Sequence, residues 1–222
     1  KAIKQNKKEE VGVTQNRSLE FCLLISLPSA VGLFVLSTPI INILFERGAF
    51  LLADTLYTAQ VLSIFSLGLP AYILIKVLVT CFFAREDTKT PLYISLVTVI
   101  INIVLSLLLI ESMREMGIAT ATAISAWINT ILLFIVLRSK ESLVLDAQLI
   151  RNSFKIIISM IAMVVGCYFL NKVLFVNIGD LSSLLKLGSL VLIIVCCKII
   201  YLGMIFMLKV ITIQDLKGYI KK

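Results

Sequence analysis

The chain contains no histidine. Imidazole acid–base chemistry and histidine metal ligation are therefore ruled out. Charge is also sparse: Asp, Glu, Lys and Arg make up 15% of the 222 residues, against about a quarter in an ordinary soluble domain. Its ten glycines include no G-x-G pair and no GxxxxGK[ST] loop, so no phosphate-cradling nucleotide motif is visible. The five cysteines (Cys22, Cys81, Cys167, Cys196, Cys197) lie in or beside apolar runs without C-x-x-C spacing. They read as small hydrophobes rather than as a zinc or disulfide framework. No signal-peptide pattern opens the sequence; the charged "KAIKQNKKEE" start reads instead as a join within a longer protein.

What the chain has in abundance is apolar sequence, 59% of its residues. Six hydrophobic segments stand out, at about Leu19–Phe45, Leu56–Phe83, Pro91–Ile110, Gly117–Leu137, Ser153–Leu170 and Leu184–Leu208. Most reach or exceed the roughly 20 residues that cross a bilayer as a helix. They are too long and too uniformly apolar for barrel strands, and a backbone in lipid must satisfy its own hydrogen bonds. The expected fold is all-α, a polytopic integral membrane protein with six transmembrane helices. Pro28, Pro39 and Pro70 fall inside spans, and each removes an amide donor, so kinks are expected there.

Positive charge sets the expected direction. Fifteen Lys and Arg fall on the side shared by the N-terminal segment, the Arg85/Lys89 loop, the Arg138–Lys155 loop and the C-terminal tail; four (Arg47, Arg114, Lys172, Lys186) fall on the other. Both termini are thus expected in the cytoplasm, with residues 1–17 a cytoplasmic linker, 139–152 a cytoplasmic loop and 209–222 a cytoplasmic tail. The net charge of +8 is explained by topology and by attraction to anionic lipid, with no nucleic acid required.

The densest polar island is "FFAREDTKTP", Phe82–Pro91. Thr90 before Pro91 predicts a helix start with a hydroxyl cap. Asp87 lies where a helix dipole favours negative charge. A capped turn with two anchoring cations accounts for these residue types; a ligand site is the other reading.

Polar residues inside spans are where transport shows itself. Ser95, Thr98, Asn102 and Ser106 lie within about an 80° arc of one helix. Thr122, Ser125 and Asn129 make a second stripe on the next, among small alanines. Close helix packing explains the hydroxyls; the two asparagines favour a shared polar seam or hydrated path. Lys76 is the sharpest residue. It sits in "PAYILIKVLVTCFF" with Tyr72 and Thr80 a turn to either side, roughly 13 Å from Arg85 at 1.5 Å per residue. Leaving its ammonium in lipid costs about 2.5–3.5 kcal/mol even on the mild scale. It should face a wet or anionic surrounding, or a structural partner. Lys198 lies near mid-span and faces either a groove or a neighbouring helix, with no spacing argument to choose between them. Glu46 and Arg47 in "LFERGAF" read as interfacial anchors or a gate pair.

No carboxylate pair is evident in the spans, so the chain reads as a transporter part, not an enzyme. "LPSAVGLFVLSTPIINILFERGAFLLADT", "LGLPAYILIKVL", "FFAREDTKTP" and "GIATATAISAWINTILL" resemble the MurJ (MviN) family of lipid II flippases from Arg17 to about Leu137. The family belongs to the multidrug/oligosaccharidyl-lipid/polysaccharide exporter superfamily. The resemblance implies a bacterial inner-membrane protein of fourteen helices whose two lobes alternate access to a cationic cavity. It would carry undecaprenyl-pyrophosphate-linked peptidoglycan precursor to the outer leaflet.

On that reading residues 18–138 are a four-helix portion of the second lobe and 153–208 a helix pair forming a lipid-tail groove. The partners are the lipid-linked precursor, membrane lipids and the N-terminal half of the same protein. Lys76, matching a lysine recurrent in the family, would bind substrate with Tyr72, Arg85, Lys89 and Arg47. Asn102, Ser106, Thr122, Ser125 and Asn129 would line the path. Asn102 and Thr122 also fit the family's monovalent-cation pattern, with Ser106 where a carboxylate would strengthen it; no other cofactor is implied. The rivals are a related polysaccharide-lipid or drug exporter, and a non-transporting scaffold for cell-wall synthesis.

Overall fold

The computed structural model describes residues 2–140, 145–175 and 183–210. Among them are seven α-helices and no strand: α1 (Ala2–Val35), α2 (Ser37–Phe45), α3 (Leu52–Phe83), α4 (Lys89–Met113), α5 (Glu115–Ser139), α6 (Ala147–Phe175) and α7 (Ser183–Met207). Six stretches are long and apolar enough to cross a bilayer: Gly12–Val35, Leu52–Phe83, Lys89–Met113, Glu115–Ser139, Ala147–Leu170 and Leu185–Met207. The chain is an all-α, multi-pass membrane protein. Helix α1 also runs back through most of residues 2–17, where Lys, Glu and Gln are good helix formers and neither Gly nor Pro intervenes before Gly12.

The prolines behave differently from one another. Pro28 and Pro70 lie inside continuous helices. Only Pro39 coincides with a break, because α1 ends at Val35, the residue four before it. Pro39 has no N–H to offer the Val35 carbonyl. Leu36 turns the chain there with φ −98° and ψ 11°. Its N–H still reaches the Gly32 carbonyl at 3.0 Å, and its own carbonyl takes the Ile40 N–H at 2.9 Å. The span bends for the loss of about one bond, not a whole turn.

The start of α4 corrects one expectation. The helix begins at Lys89, so Thr90 and Pro91 lie within its first turn rather than at its cap. Asp87 does the capping: its carboxylate accepts the Thr90 N–H at 3.0 Å and the Thr90 hydroxyl at 2.8 Å. A carboxylate outcompetes a hydroxyl as an acceptor at a helix N-terminus. Pro91 is tolerated because the first four amides have no intrahelical acceptor.

Lateral order follows from side-chain size. Helix α5 packs on both α3 and α4, α1 bridges α3 and α6, α7 pairs with α6, and α2 lies against α3. The α5 face is alanine-rich, with Ala119, Ala121, Ala123 and Ala126 all buried, which lets backbones approach. The α4–α5 hairpin turns at Arg114, whose φ is 51°. Just beyond it, a Cβ on Gly117 would stand 2.5 Å from the Leu109 carbonyl oxygen; only glycine fits that approach. One core joins Leu19, Leu78, Phe82, Leu133, Leu137 and Leu149. A second joins α1 to the α6–α7 pair through Leu24, Ile156, Met163, Cys167, Ile193 and Tyr201.

Candidate functional site

Lys76 lies on the side of α3 turned away from its packed core and is exposed, as is Thr80 one turn on. Its ammonium has no hydrogen bond or ion pair among the described residues. The structural pairing partner, the second of the two alternatives, is thus not found there. Tyr72 is half-buried, and its hydroxyl is shielded without a hydrogen-bond partner. Its ring leans back toward the helix N-terminus, as helical side chains do, and covers Gly68. A Cβ at that glycine would be 3.0 Å from the phenolic oxygen, so Gly68 makes room for the tyrosine. A free cation and a dry phenol therefore sit one turn apart on α3.

The polar stripes of α4 and α5 meet at one point. The Asn129 amide donates to the Thr98 hydroxyl across the helix pair at 3.1 Å, and Thr98 donates to the Ser95 carbonyl at 3.0 Å. The Asn129 carbonyl oxygen is buried without a partner. Ser125 is buried and donates to Ala121, while Thr122 donates to Ile118; both hydroxyls serve their own helix. One turn toward Met113, Ser106 and Asn102 lie 3.5 Å apart, oxygen to oxygen. No hydrogen bond joins Lys76 to Asn102, Ser106 or Thr122. Outside its seam with α5, α4 is bare: Pro91 and Thr98 are its only buried residues. Three further bonds tie α5 to α3, from the Trp127 indole to the Leu67 carbonyl at 3.0 Å, from the Thr130 hydroxyl to the Ala71 carbonyl at 3.2 Å and from the Tyr57 hydroxyl to the Glu115 carboxylate at 2.5 Å.

The turn between α3 and α4 is built as a clamp. The Lys140 ammonium donates to Asp87 at 2.6 Å and to the Thr90 hydroxyl at 3.2 Å, and it lies 5.9 Å from the Phe82 ring centroid. Three helix ends are gathered on one carboxylate. The bond from Lys140, followed by those from the Thr90 amide and hydroxyl, holds the Asp87 carboxyl down to about 2. Arg85 turns inward, donating to the Cys81 carbonyl at 2.6 Å and to Gln15 of α1 at 3.4 Å. Lys89 is exposed and forms no ion pair among the described residues. At the opposite end Arg47 donates to the Leu44 carbonyl at 2.6 Å and closes α2. Glu46 is bonded instead to Asn42 and Thr55, at 2.7 and 2.6 Å. Glu46 and Arg47 do not form the gate pair that was one of the two expectations.

Sequence reasoning missed one cluster. Glu20, inside the first span, is buried and takes bonds from Arg17 and from Asn152 of α6, the latter at 2.5 Å. Arg17 also pairs with Asp146 at 2.9 Å, and Asp146 caps α6 through the Leu149 amide at 2.6 Å. The available signal was a carboxylate two residues inside an apolar run with an arginine three residues before it.

Among the described residues these features define a class: a polytopic helical membrane segment that carries charged and neutral polar side chains inside its spans. The sequence profile described as "Lipid II flippase MurJ" matches residues 1–189. The chain is 36% identical to the probable lipid II flippase MurJ of Rhizobium tropici over all of its own length, and 38% identical to that of Rickettsia prowazekii over 97% of it. It spans 42% of each of those relatives. A solved lipid II flippase MurJ in an inward closed conformation superposes with a TM-score of 0.67 at 26% identity, over 90% of this chain and 41% of that one. The chain belongs to the MurJ family.

Proposed function

We propose that this chain is the C-terminal part of a flippase that carries lipid-linked peptidoglycan precursor across the bacterial inner membrane, with both termini in the cytoplasm. The observation that carries the reading is Lys76, an unpaired ammonium within a membrane span. Such a group persists only where water or an anion meets it. The pyrophosphate of lipid II is an anion of the right kind, and ammonium–phosphate contacts are strong because both partners are charged. Family membership and the two relatives' names support the substrate. An even number of spans, with the larger share of basic residues at the Asp87 end, supports the orientation.

Within that reading each side chain has a task. Lys76 attracts the pyrophosphate, and Tyr72 lends a hydroxyl one turn away. Asn102, Ser106 and Asn129 keep the α4–α5 side of the path polar, while Thr122 and Ser125 are bonded to their own helix behind it. Lys89 meets the headgroup at the cytoplasmic mouth, while Arg85 and Arg47 hold helix ends in place. The α6–α7 pair gives the polyprenyl tail an apolar berth. The other half of the protein completes the cavity. A coupling monovalent cation would find only neutral oxygens at Asn102, Ser106 and Thr122, a weak ligand set for a cation compared with one containing a carboxylate.

The test is Lys76→Ala and Lys76→Arg in the intact protein, with flipping assayed in vesicles and growth in a complementation assay. Loss with Ala and partial rescue with Arg, at equal expression, supports the assignment. Normal activity of Lys76→Ala removes it.

A further inference from the structure

A second lysine lies in a different setting. Helices α1, α6 and α7, with Ile40 of α2, enclose a half-open groove of about 390 Å³. Its walls are Leu, Ile, Val, Met and Cys side chains, with Pro28 and Gly32 of α1 widening it. Lys198 of α7 is exposed and lines this groove. It stands nine residues before Met207, roughly 13 Å inside the helix end at 1.5 Å per residue. Helical side chains lean toward the N-terminus, which draws the amine further into the span.

Among the described residues no carboxylate faces Lys198. The elements packed around the groove contribute no carboxylate to its lining. Ser29 and Tyr201, its hydroxyl neighbours in the wall, already donate to the Ile25 and Leu24 carbonyls. The ammonium has no ion pair among the described residues.

We propose that Lys198 binds the phosphate of an anionic bilayer phospholipid whose acyl chain lies in the α1–α6–α7 groove. Charge complementarity selects this occupant. One ammonium balances one phosphodiester, which carries a single negative charge, and no second cation lines the groove to meet a pyrophosphate. A zwitterionic lipid would bring its own ammonium against Lys198. The fitting class is a phosphodiester lipid with an uncharged alcohol headgroup. The lipid phosphate is drawn inward to meet the Lys198 ammonium. Such a lipid would fill the groove whenever a polyprenyl tail is absent.

The test uses the intact protein in nanodiscs of phosphatidylglycerol, of phosphatidylcholine, or of an equal mixture. Native mass spectrometry on release counts the retained lipids. Wild type, Lys198→Arg and Lys76→Met should each hold one more phosphatidylglycerol than Lys198→Met, with no matching retention of phosphatidylcholine. A thermal shift given by phosphatidylglycerol should vanish in Lys198→Met and in the milder Lys198→Gln, so a folding defect in one variant does not decide the matter. Equal counts in wild type and both neutral variants overturn the proposal. So does equal retention of phosphatidylcholine, or retention of polyprenyl pyrophosphate alone. Flipping is not the readout, so these outcomes are separate from the fate of the Lys76 assignment.

Discussion

The α3–α4–α5 side and the α1–α6–α7 side of this molecule each hold an unpaired lysine well inside a membrane span among the described residues, Lys76 and Lys198, and they surround it differently. Lys76 has a shielded phenol and a threonine along its own helix, and a neighbouring helix pair whose seam is crossed by an asparagine amide. Lys198 has a groove of hydrocarbon and two hydroxyls already committed to backbone carbonyls. An ammonium alone does not say what it binds. Its neighbours do: polar groups keep a path hydrated, whereas an apolar wall admits a lipid chain and leaves the charge to meet a lipid phosphate.

The two sides are also held together by different means, and the comparison can be broken there. The largest effect should come from Lys76. Removing a charge-assisted contact of about 1.5–3 kcal/mol lowers flipping by about 10–100-fold in Lys76→Ala. Lys198→Met should change flipping far less, and parallel vesicle assays check both.

Next is Glu20, which fastens α6 to α1. Glu20→Ala strands Arg17 and Asn152 around a lost carboxylate. It should destabilise the α6–α7 pair by on the order of 2 kcal/mol, read as faster proteolysis between 140 and 147 with little change in the α4–α5 hairpin. Gly117→Ala acts on the other side. Its Cβ meets the Leu109 carbonyl, and overpacking of this kind costs roughly 1–3 kcal/mol. A disulfide engineered across α4 and α5 should then form more slowly while α6 stays docked.

The smallest effect concerns the Asp87 clamp and is a matter of pH. Its carboxyl is held at about 2 when folded, below the usual carboxylate range. Its contribution is therefore complete above roughly pH 4 and is lost as pH falls toward 2. Asp87→Asn should lower the melting temperature at pH 7 and match wild type near pH 2, as thermal scans across that range can establish.

Long apolar runs made the six spans legible, because bilayer thickness and backbone hydrogen bonding leave few other solutions. Lys76 was legible for the same reason: charge in such a run demands an explanation. The start of α4 was misread by two residues. Thr90-Pro91 and Asp87 are both acceptable cap signals, and only Lys140, fifty-three residues beyond Asp87, settles which one the fold uses. The Arg17–Glu20–Asn152–Asp146 cluster was missed because its members come from two stretches more than a hundred residues apart, joined only when α1 meets α6. A groove at the last helix pair was implied by the family resemblance, but its lining was not legible; hydropathy gives the same value to a residue lining a cleft and one facing lipid.

The central claim is that, in the intact protein, the Lys76 side meets water and the groove meets lipid. Single cysteines at positions 76, 102, 194 and 202, in a background with the five native cysteines replaced, can be probed with a membrane-impermeant thiol reagent. Lys76→Cys and Asn102→Cys should be labelled, and Ile194→Cys and Leu202→Cys should stay unreacted. Labelling at 194 and 202 with none at 76 would contradict the account.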